Sequence, residues 1–337
     1  MIKEAISTLI AGRSLTMDEA AAVMTEIMQG EATPAQLGAF LTALRLKGET
    51  VEEITGFATI MRAKAITVTA TEPVLDIVGT GGDNANTFNI STTAAFVAAG
   101  AGLKVAKHNN RAMSSRCGSA DVLEALGIKI DLNAEQVQRC LQEVGIGFMF
   151  APAFHPAMKH AAGPRREIGI RTVFNILGPL TNPAKAQAQV MGVADGAMAD
   201  KLALVLQSLG CRHALVVHGE DGLDEITITT RTQVYEVKDG SLKSYTVSPE
   251  DFGFSRASLD SLKGGTAAEN AALLRNALSE AKGPQKDIVL MNAAAALVAG
   301  DKVDTLQKGV TLAAEVVDSG CALAKVEQLI KFSQSLN

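Results

Sequence analysis

A short apolar run at residues 74–78 breaks off into Gly79-Thr80-Gly81-Gly82-Asp83, and that junction leaves few folds open. A run of this kind, bounded by turn residues, predicts a buried strand, and the glycines let the backbone behind it approach a ligand closely. Around it the sequence alternates. Residues 104–107, 147–151, 189–194 and 214–218 are further candidate strands, with helix-like segments at 92–101, 118–126, 134–144 and 197–209. That rhythm predicts an α/β fold with a mostly parallel central sheet flanked by helices. Ligands of such sheets gather at the carboxyl ends of the strands. Residues 226–229, 233–238 and 242–246 also read as β structure, with Asp239-Gly240 as a hairpin turn, and from about residue 267 the chain is helical again.

The first 70 residues read as helices only. Thr16 with Glu19, Thr33 with Gln36 and Thr50 with Glu53 have the spacing of capping boxes. Pro34 falls at a first helical position, and Gly30 and Gly48 follow the ends of the second and third helices. Leu37, Phe40, Leu41 and Leu44 mark a face to be buried. The chain therefore divides into a small helical unit, residues 1–70, and an α/β unit, residues 72–337. So small and apolar a unit reads either as a dimer interface or as packing within the chain.

The formal net charge of -5 works against non-specific nucleic-acid binding, which needs many phosphates neutralised, but leaves room for a local cationic pocket. Cys117, Cys140, Cys211 and Cys321 are scattered, which suits free thiols in a reducing compartment. No apolar run reaches the ~20 residues of a membrane span. Glu4 and the lack of a long apolar stretch near Met1 predict no signal peptide, hence a cytoplasmic protein.

Gly79-Thr80-Gly81-Gly82-Asp83 is neither a dinucleotide fingerprint, since Asn84 stands where a third glycine would, nor a P-loop. A plain tight turn would read the same way. Thr87, Asn89, Ser91 and Thr92 follow closely, however, and the last two open a helix whose amides and hydroxyls suit an anion. Lys107-His108-Asn109-Asn110-Arg111 places two cations after a strand, ahead of Ser114, Ser115 and Ser119. That is either a solvated face or a phosphate site. In Asp221-Gly222-Leu223-Asp224-Glu225, a loop lets Asp224 and Glu225 converge on a hard cation, naturally magnesium; an exposed acidic turn is the alternative. Arg165, in a basic stretch from Gly163 to Arg171, suits a carboxylate or a helix-lacing pair with Glu167, and His155 lines the same cavity or is structural.

Taken together, these segments resemble the anthranilate phosphoribosyltransferases of tryptophan biosynthesis. The matching pieces are GTGGD (79–83), NIST (89–92), KHNNRAMSS (107–115), GSADVLEALG (118–127), GPRREIGIRTVFNILGPLTNPA (163–184) and DGLDE (221–225), and the likeness spans essentially the whole chain. It implies a helical domain, with a returning segment near 165–185, that mediates homodimerisation, and a larger domain carrying the phosphoribosyl site. It implies transfer of the 5-phosphoribosyl group from 5-phosphoribosyl 1-diphosphate to the amine of anthranilate, with no nucleic-acid or membrane partner. Residue by residue, Gly79, Gly82, Asp83, Thr87, Asn89, Ile90, Ser91 and Thr92 would contact the donor from the first loop. From the second, Lys107, His108, Asn109, Asn110, Arg111, Ala112, Met113, Ser114, Ser115 and Ser119 would do so, with Lys107 as electrostatic catalyst. Gly79, Asn110, His155 and Arg165 would hold anthranilate; Ser91, Asp224 and Glu225 would hold magnesium, as two ions.

The family usually has Lys-His-Gly-Asn where this chain has Lys107-His108-Asn109-Asn110. If the position needs a positive φ, asparagine is the least costly replacement, and activity is expected to survive. Two other readings are a pyrimidine nucleoside phosphorylase-like enzyme and a silent nucleic-acid-binding paralogue. The segment around Arg165 and the acids of 221–225 favour the transferase.

Overall fold

The computed structural model describes residues 1–112, 116–279 and 281–336. Four helices come first: α1 (Ile2–Ile10), α2 (Met17–Gln29), α3 (Pro34–Lys47) and α4 (Val51–Lys64). Thr16, Thr33 and Thr50 each accept from the amide three residues on, while Glu19, Gln36 and Glu53 reach back, so all three capping boxes form. Each satisfies two amides that a helix start leaves without partners. The buried Glu53 also accepts from Leu15 N at 2.9 Å and Lys47 Nζ at 2.8 Å, tying the α1–α2 connection to the end of α3.

Strands and helices then alternate through β1 (Val74–Gly79), α5 (Ile90–Gly100), β2 (Lys104–Asn109), α6 (Ser119–Ala125), α7 (Ala134–Glu143) and β3 (Ile146–Phe150). Three helices follow before the next strand: α8 (Ala151–Phe154), α9 (Lys159–Ile168) and α10 (Phe174–Leu180). The sheet resumes with β4 (Ala188–Gly192), α11 (Ala199–Ser208), β5 (His213–Gly219), β6 (Thr232–Lys238) and β7 (Ser241–Val247). The chain ends in α12 (Ala267–Ala277), α13 (Pro284–Ala299), α14 (Leu306–Asp318) and α15 (Cys321–Gln334).

Among the described residues, seven strands form one sheet in the order β3-β2-β1-β4-β5-β6-β7. The first five are parallel; β6 and β7 are antiparallel. Asp239 (φ 47°) and Gly240 (φ 78°) make the hairpin turn, both central residues having the positive φ its twist requires. The expected β structure at 226–229 is absent. Asn292 of α13 accepts from Ile226 N and donates to Ile226 O, each at 2.9 Å, so a side-chain amide takes the place of a strand partner while Ile226 and Ile228 stay buried.

The sheet is apolar on both faces. Along β5, Leu215 and Val217 enter a core with α5 and α13, while Ala214 and Val216 enter a second core with α11 and the first four helices. Ala161, Phe174, Leu177 and Leu180, from α9 and α10, belong to that second core. Arg62 Nε of α4 donates to Leu180 O at 2.6 Å, and its Nη1 to Leu209 O at 3.3 Å.

Candidate active site

Gly79 ends β1 and pairs in register with Gly192, the end of β4. Both must be glycine because Asp224 lies across them: a β-carbon on Gly192 would run into the Asp224 carbonyl, and one on Gly79 into its carboxylate. The loop after β5 gets there by a turn at Gly222 (φ 91°), closed by Gly222 N to Gly219 O at 2.8 Å and Gly219 N to Leu223 O at 2.9 Å. Asp221 stays inside this loop, accepting from Thr227 Oγ1 at 2.6 Å. Asp224 and Glu225 cross to the neighbouring strand exit. Asp224 Oδ2 accepts from Gly81 N at 2.7 Å, and Glu225 Oε1 from Ser91 N at 3.2 Å, at the start of α5.

These acids sit where negative charge is costly. Burial, then the neighbouring Asp83, pushes Asp224 up to about 7; burial and Asp224 push Glu225 well above the carboxylate range. Lys107 is the nearby cation. It is buried within β2 rather than placed at its exit, and its Nζ donates to Ile77 O and to Ser91 Oγ, the latter at 3.4 Å. Burial lowers its proton affinity, and Asp76 and Glu225 oppose that. Asp76 is itself pushed up to about 6 by burial, against the pull of Lys107 and of Asn182 Nδ2 at 2.7 Å. Asp83, Asp224 and Glu225 thus crowd together with Lys107, beside backbone N–H donors. Among the described residues no three acids, histidines or cysteines are grouped to hold an ion alone, so the oxygens of Asp224, Glu225 and Ser91 suit a hard divalent cation that takes its remaining ligands from phosphate.

The first loop and α5 form one wall. Ile90 begins α5, two residues before the expected start, and is buried. Thr92 Oγ1 donates to Ser119 Oγ at 3.1 Å, joining the starts of α5 and α6. Asn89 is engaged with the protein, its Nδ2 donating to Cys117 O at 3.2 Å and its Oδ1 accepting from Asn270 Nδ2 at 2.9 Å. Thr87 bridges Lys263.

The second loop behaves less uniformly. Asn109 is the last residue of β2, paired with Phe150, and lies outside the residues of positive φ, so the condition attached to its side chain does not arise. Its Oδ1 accepts from Asn110 N at 2.8 Å, and Asn110 Oδ1 from Arg111 N at 2.8 Å. Arg111 leans onto α6, paired with Asp121 at 3.1 Å and with Glu124, and over the Phe150 ring at 5.5 Å. Asp121 also accepts from Ala112 N at 3.0 Å. Met113, Ser114 and Ser115 lie outside the described residues.

His108 and His155 are both buried, and burial pushes them down to about 3 and about 4. Both nitrogens of His108, His155 Nε2 and Thr172 Oγ1 are buried polar atoms without a hydrogen bond. Such groups are rare in a folded protein. Arg165 stacks on Phe174, 4.9 Å from the ring centroid, and among the described residues it makes no ion pair with Glu167 or any other acid. Burial lowers its proton affinity.

A family model described as "Glycosyl transferase family, a/b domain" matches residues 71–323, and one described as "Glycosyl transferase family, helical bundle domain" matches residues 3–65. The anthranilate phosphoribosyltransferase of Dehalococcoides mccartyi is 62% identical over 338 residues, covering 100% of this chain and 99% of the relative. That of Moorella thermoacetica is 58% identical, covering 99% of each. The chain belongs to the anthranilate phosphoribosyltransferase family. Solved members superpose closely. The Thermus thermophilus enzyme has a TM-score of 0.93 at 46% identity, covering 98% of this chain and 99% of that one. The Saccharomyces cerevisiae enzyme, solved in complex with PRPP and Mg, has a TM-score of 0.91 at 30% identity, covering 99% and 98%.

Four residues that shape the site have no role assigned by the sequence alone. Asn182, inside the matching segment 163–184, bridges Asp76 and Ala106 O, the latter at 2.8 Å; its place in that segment was the available signal. Asp76 belonged to the predicted strand and was read only as part of it. Asn270 gave no signal, because it reaches Asn89 across 181 positions of sequence. Arg171, at the end of the basic stretch, donates to Thr80 O at 3.3 Å and Gly81 O at 2.9 Å.

Proposed function

We infer that this chain transfers the 5-phosphoribosyl group of 5-phosphoribosyl 1-diphosphate to the amine of anthranilate, releasing diphosphate, as a magnesium-dependent step of L-tryptophan biosynthesis. The carrying observation is the delivery of Asp224 and Glu225 from the β5 exit onto the amides of Gly81 and Ser91, next to Lys107. Asp224, Glu225 and the Ser91 hydroxyl would hold magnesium, as two ions. The chemistry a bound magnesium ion supplies is neutralisation of the charge gathering on the departing diphosphate.

The remaining work falls to the chain. Gly79, Gly82, Asp83, Thr87, Asn89, Ser91, Thr92, Lys107 and Ser119 surround the donor, with the positive end of α5 on the same side. Lys107 places a fixed cation there in a dry setting, where it counts for more than in water. Arg165 takes the anthranilate carboxylate, and Asn110 and His155 line the acceptor side. An aromatic amine has a free lone pair at pH 7. As that pair bonds to C1 of the ribose, the C1–O bond to diphosphate breaks and the spare amine proton passes to water. Positioning and charge stabilisation therefore suffice, and no side chain is assigned as acid or base.

The test is the fall of anthranilate fluorescence with purified protein, 5-phosphoribosyl 1-diphosphate and magnesium. Loss of signal that EDTA prevents supports the transferase; an unchanged signal with both substrates present overturns it. The helical unit, residues 1–70 with the segment near 165–185, is proposed to mediate homodimerisation, supported by Leu46 and Ile10, 83% and 74% exposed on α3 and α1. Light scattering should give twice the chain mass, falling to one in Leu46→Asp/Ile10→Asp. The free cysteines suit a cytoplasmic site of action, and no described helix is long and apolar enough to cross a membrane.

A further inference from the structure

We propose that Arg171 is a positioning residue for the donor loop, gripping the carbonyl side of the glycine turn so that its amide side is presented to 5-phosphoribosyl 1-diphosphate. The inference rests on the transferase reading above.

In a trans peptide the C=O of one residue and the N–H of the next point in opposite directions, so fixing one edge fixes the other. The Thr80–Gly81 peptide is held at both edges: its carbonyl accepts from Arg171 Nη2 at 3.3 Å, and its N–H donates to Asp224 at 2.7 Å. The Gly81–Gly82 peptide is held at one edge only. Its carbonyl accepts from Arg171 Nη2 at 2.9 Å, while Gly82 N–H donates to no acceptor among the described residues. That amide is the group left over for an anionic oxygen.

A turn of two glycines has no side chains of its own to hold it. Gly81 (φ 64°) and Gly82 (φ 83°) occupy left-handed conformations, and each glycine has wide alternatives to sample. Arg171 removes that freedom. Its guanidinium packs so tightly on Gly82 that a β-carbon there would overlap it. Both bonds come from the one nitrogen Nη2, whose two N–H groups are held in the guanidinium plane, whereas a lysine ammonium turns freely at the end of a shorter, flexible stem. The grip also turns two carbonyl dipoles away from a polyphosphate they would repel.

Arg171 lies between α9, which carries Arg165, and α10, and its side chain is exposed, so removing it leaves no cavity. The test compares wild type, Arg171→Ala and Arg171→Lys by calorimetric titration with 5-phosphoribosyl 1-diphosphate and magnesium, by the KM of each substrate, and by thermal melting. Donor Kd and KM should rise about tenfold or more in Arg171→Ala, the scale of lost charge-assisted hydrogen bonds. The lysine variant should fall between, with anthranilate KM and melting temperature unchanged. In a double-mutant cycle, Gly82→Ala should cost less in the Arg171→Ala background than in wild type, because the two side chains compete for one space. Donor affinity unchanged in Arg171→Ala overturns the proposal. So does a rise in both KM values with a lowered melting temperature, the mark of a merely structural strap. A wild type that binds donor but never consumes anthranilate sinks the transferase reading, and leaves the loop assignment to be judged on the calorimetry.

Discussion

The imidazole rings of His108 and His155 lie 4.9 Å apart, tilted by 50°. Among the described residues, neither nitrogen of His108 nor His155 Nε2 finds a hydrogen-bond partner. Burial pushes His108 down to about 3, with His155 adding to the effect, and pushes His155 down to about 4. An unfolded histidine binds its proton near 6.5. The folded pair therefore binds fewer protons between about 6.5 and 3. The stability it contributes is complete above that window and is lost as pH falls through it. Nitrogen chemical shifts of labelled histidine should show two of the five side chains neutral down to pH 5. Titration of either ring near 6.5 would contradict the buried pair.

Glu225→Gln should separate stability from function. With burial and Asp224 both opposing its charge, a neutral isostere relieves strain while its oxygen can still accept from Ser91 N. The metal-free variant should melt higher than wild type by roughly 2–4 °C. Wild type should gain stability on adding magnesium, since an ion that binds the native state alone favours it, and the variant should lose that gain together with turnover. Melting curves with and without magnesium read both effects.

Arg165→Ala should raise the KM for anthranilate by roughly ten- to a hundredfold while donor KM holds, the scale expected for a lost charge-assisted pair. Its stacking on Phe174 adds little to folding, about 1 kcal/mol at most. Kinetics against benzoate-type competitors, with melting curves alongside, check both halves.

Asn109→Gly tests the departure from the family's usual glycine. Asn109 closes a strand in ordinary conformation, so glycine relieves nothing there and should cost roughly 0.5–1 kcal/mol in urea unfolding. Turnover should already be present with Asn109. A glycine variant markedly more stable than wild type would show that the asparagine is strained after all.

Local rules made much of the fold readable. The capping boxes at Thr16, Thr33 and Thr50, the alternation after residue 74 and the Asp239-Gly240 hairpin each depend on residues a few positions apart. What stayed hidden depends on distance. Nothing near Ile226 announces that Asn292 will satisfy its backbone, and an apolar stretch with buried isoleucines reads as a strand in either case. The same holds at the candidate site. Its loops stood out by composition, but the overlap of Asp224 with Gly79 and Gly192 exists only once three strand exits lie side by side. Lys107 read as a cation at a strand end, facing solvent or a phosphate, because a sequence gives charge without depth; its burial appears only in the fold.

The second core is assembled from two distant stretches of chain, the first four helices and then Ala161 through Val237. On the ribosome that separation becomes a delay. At ordinary synthesis rates, the roughly 170 residues from the end of α4 to Val237 take about ten to thirty-five seconds to appear. Throughout that interval α2, α3 and α4 have their capping boxes, and Phe57 has Phe40, but α4 lacks the apolar partners that α10 and α11 later bring against it. This stretch of nascent chain should therefore be a preferred client of ribosome-associated chaperones, and a gene cut after residue 65 should yield two fragments that are each poorly soluble.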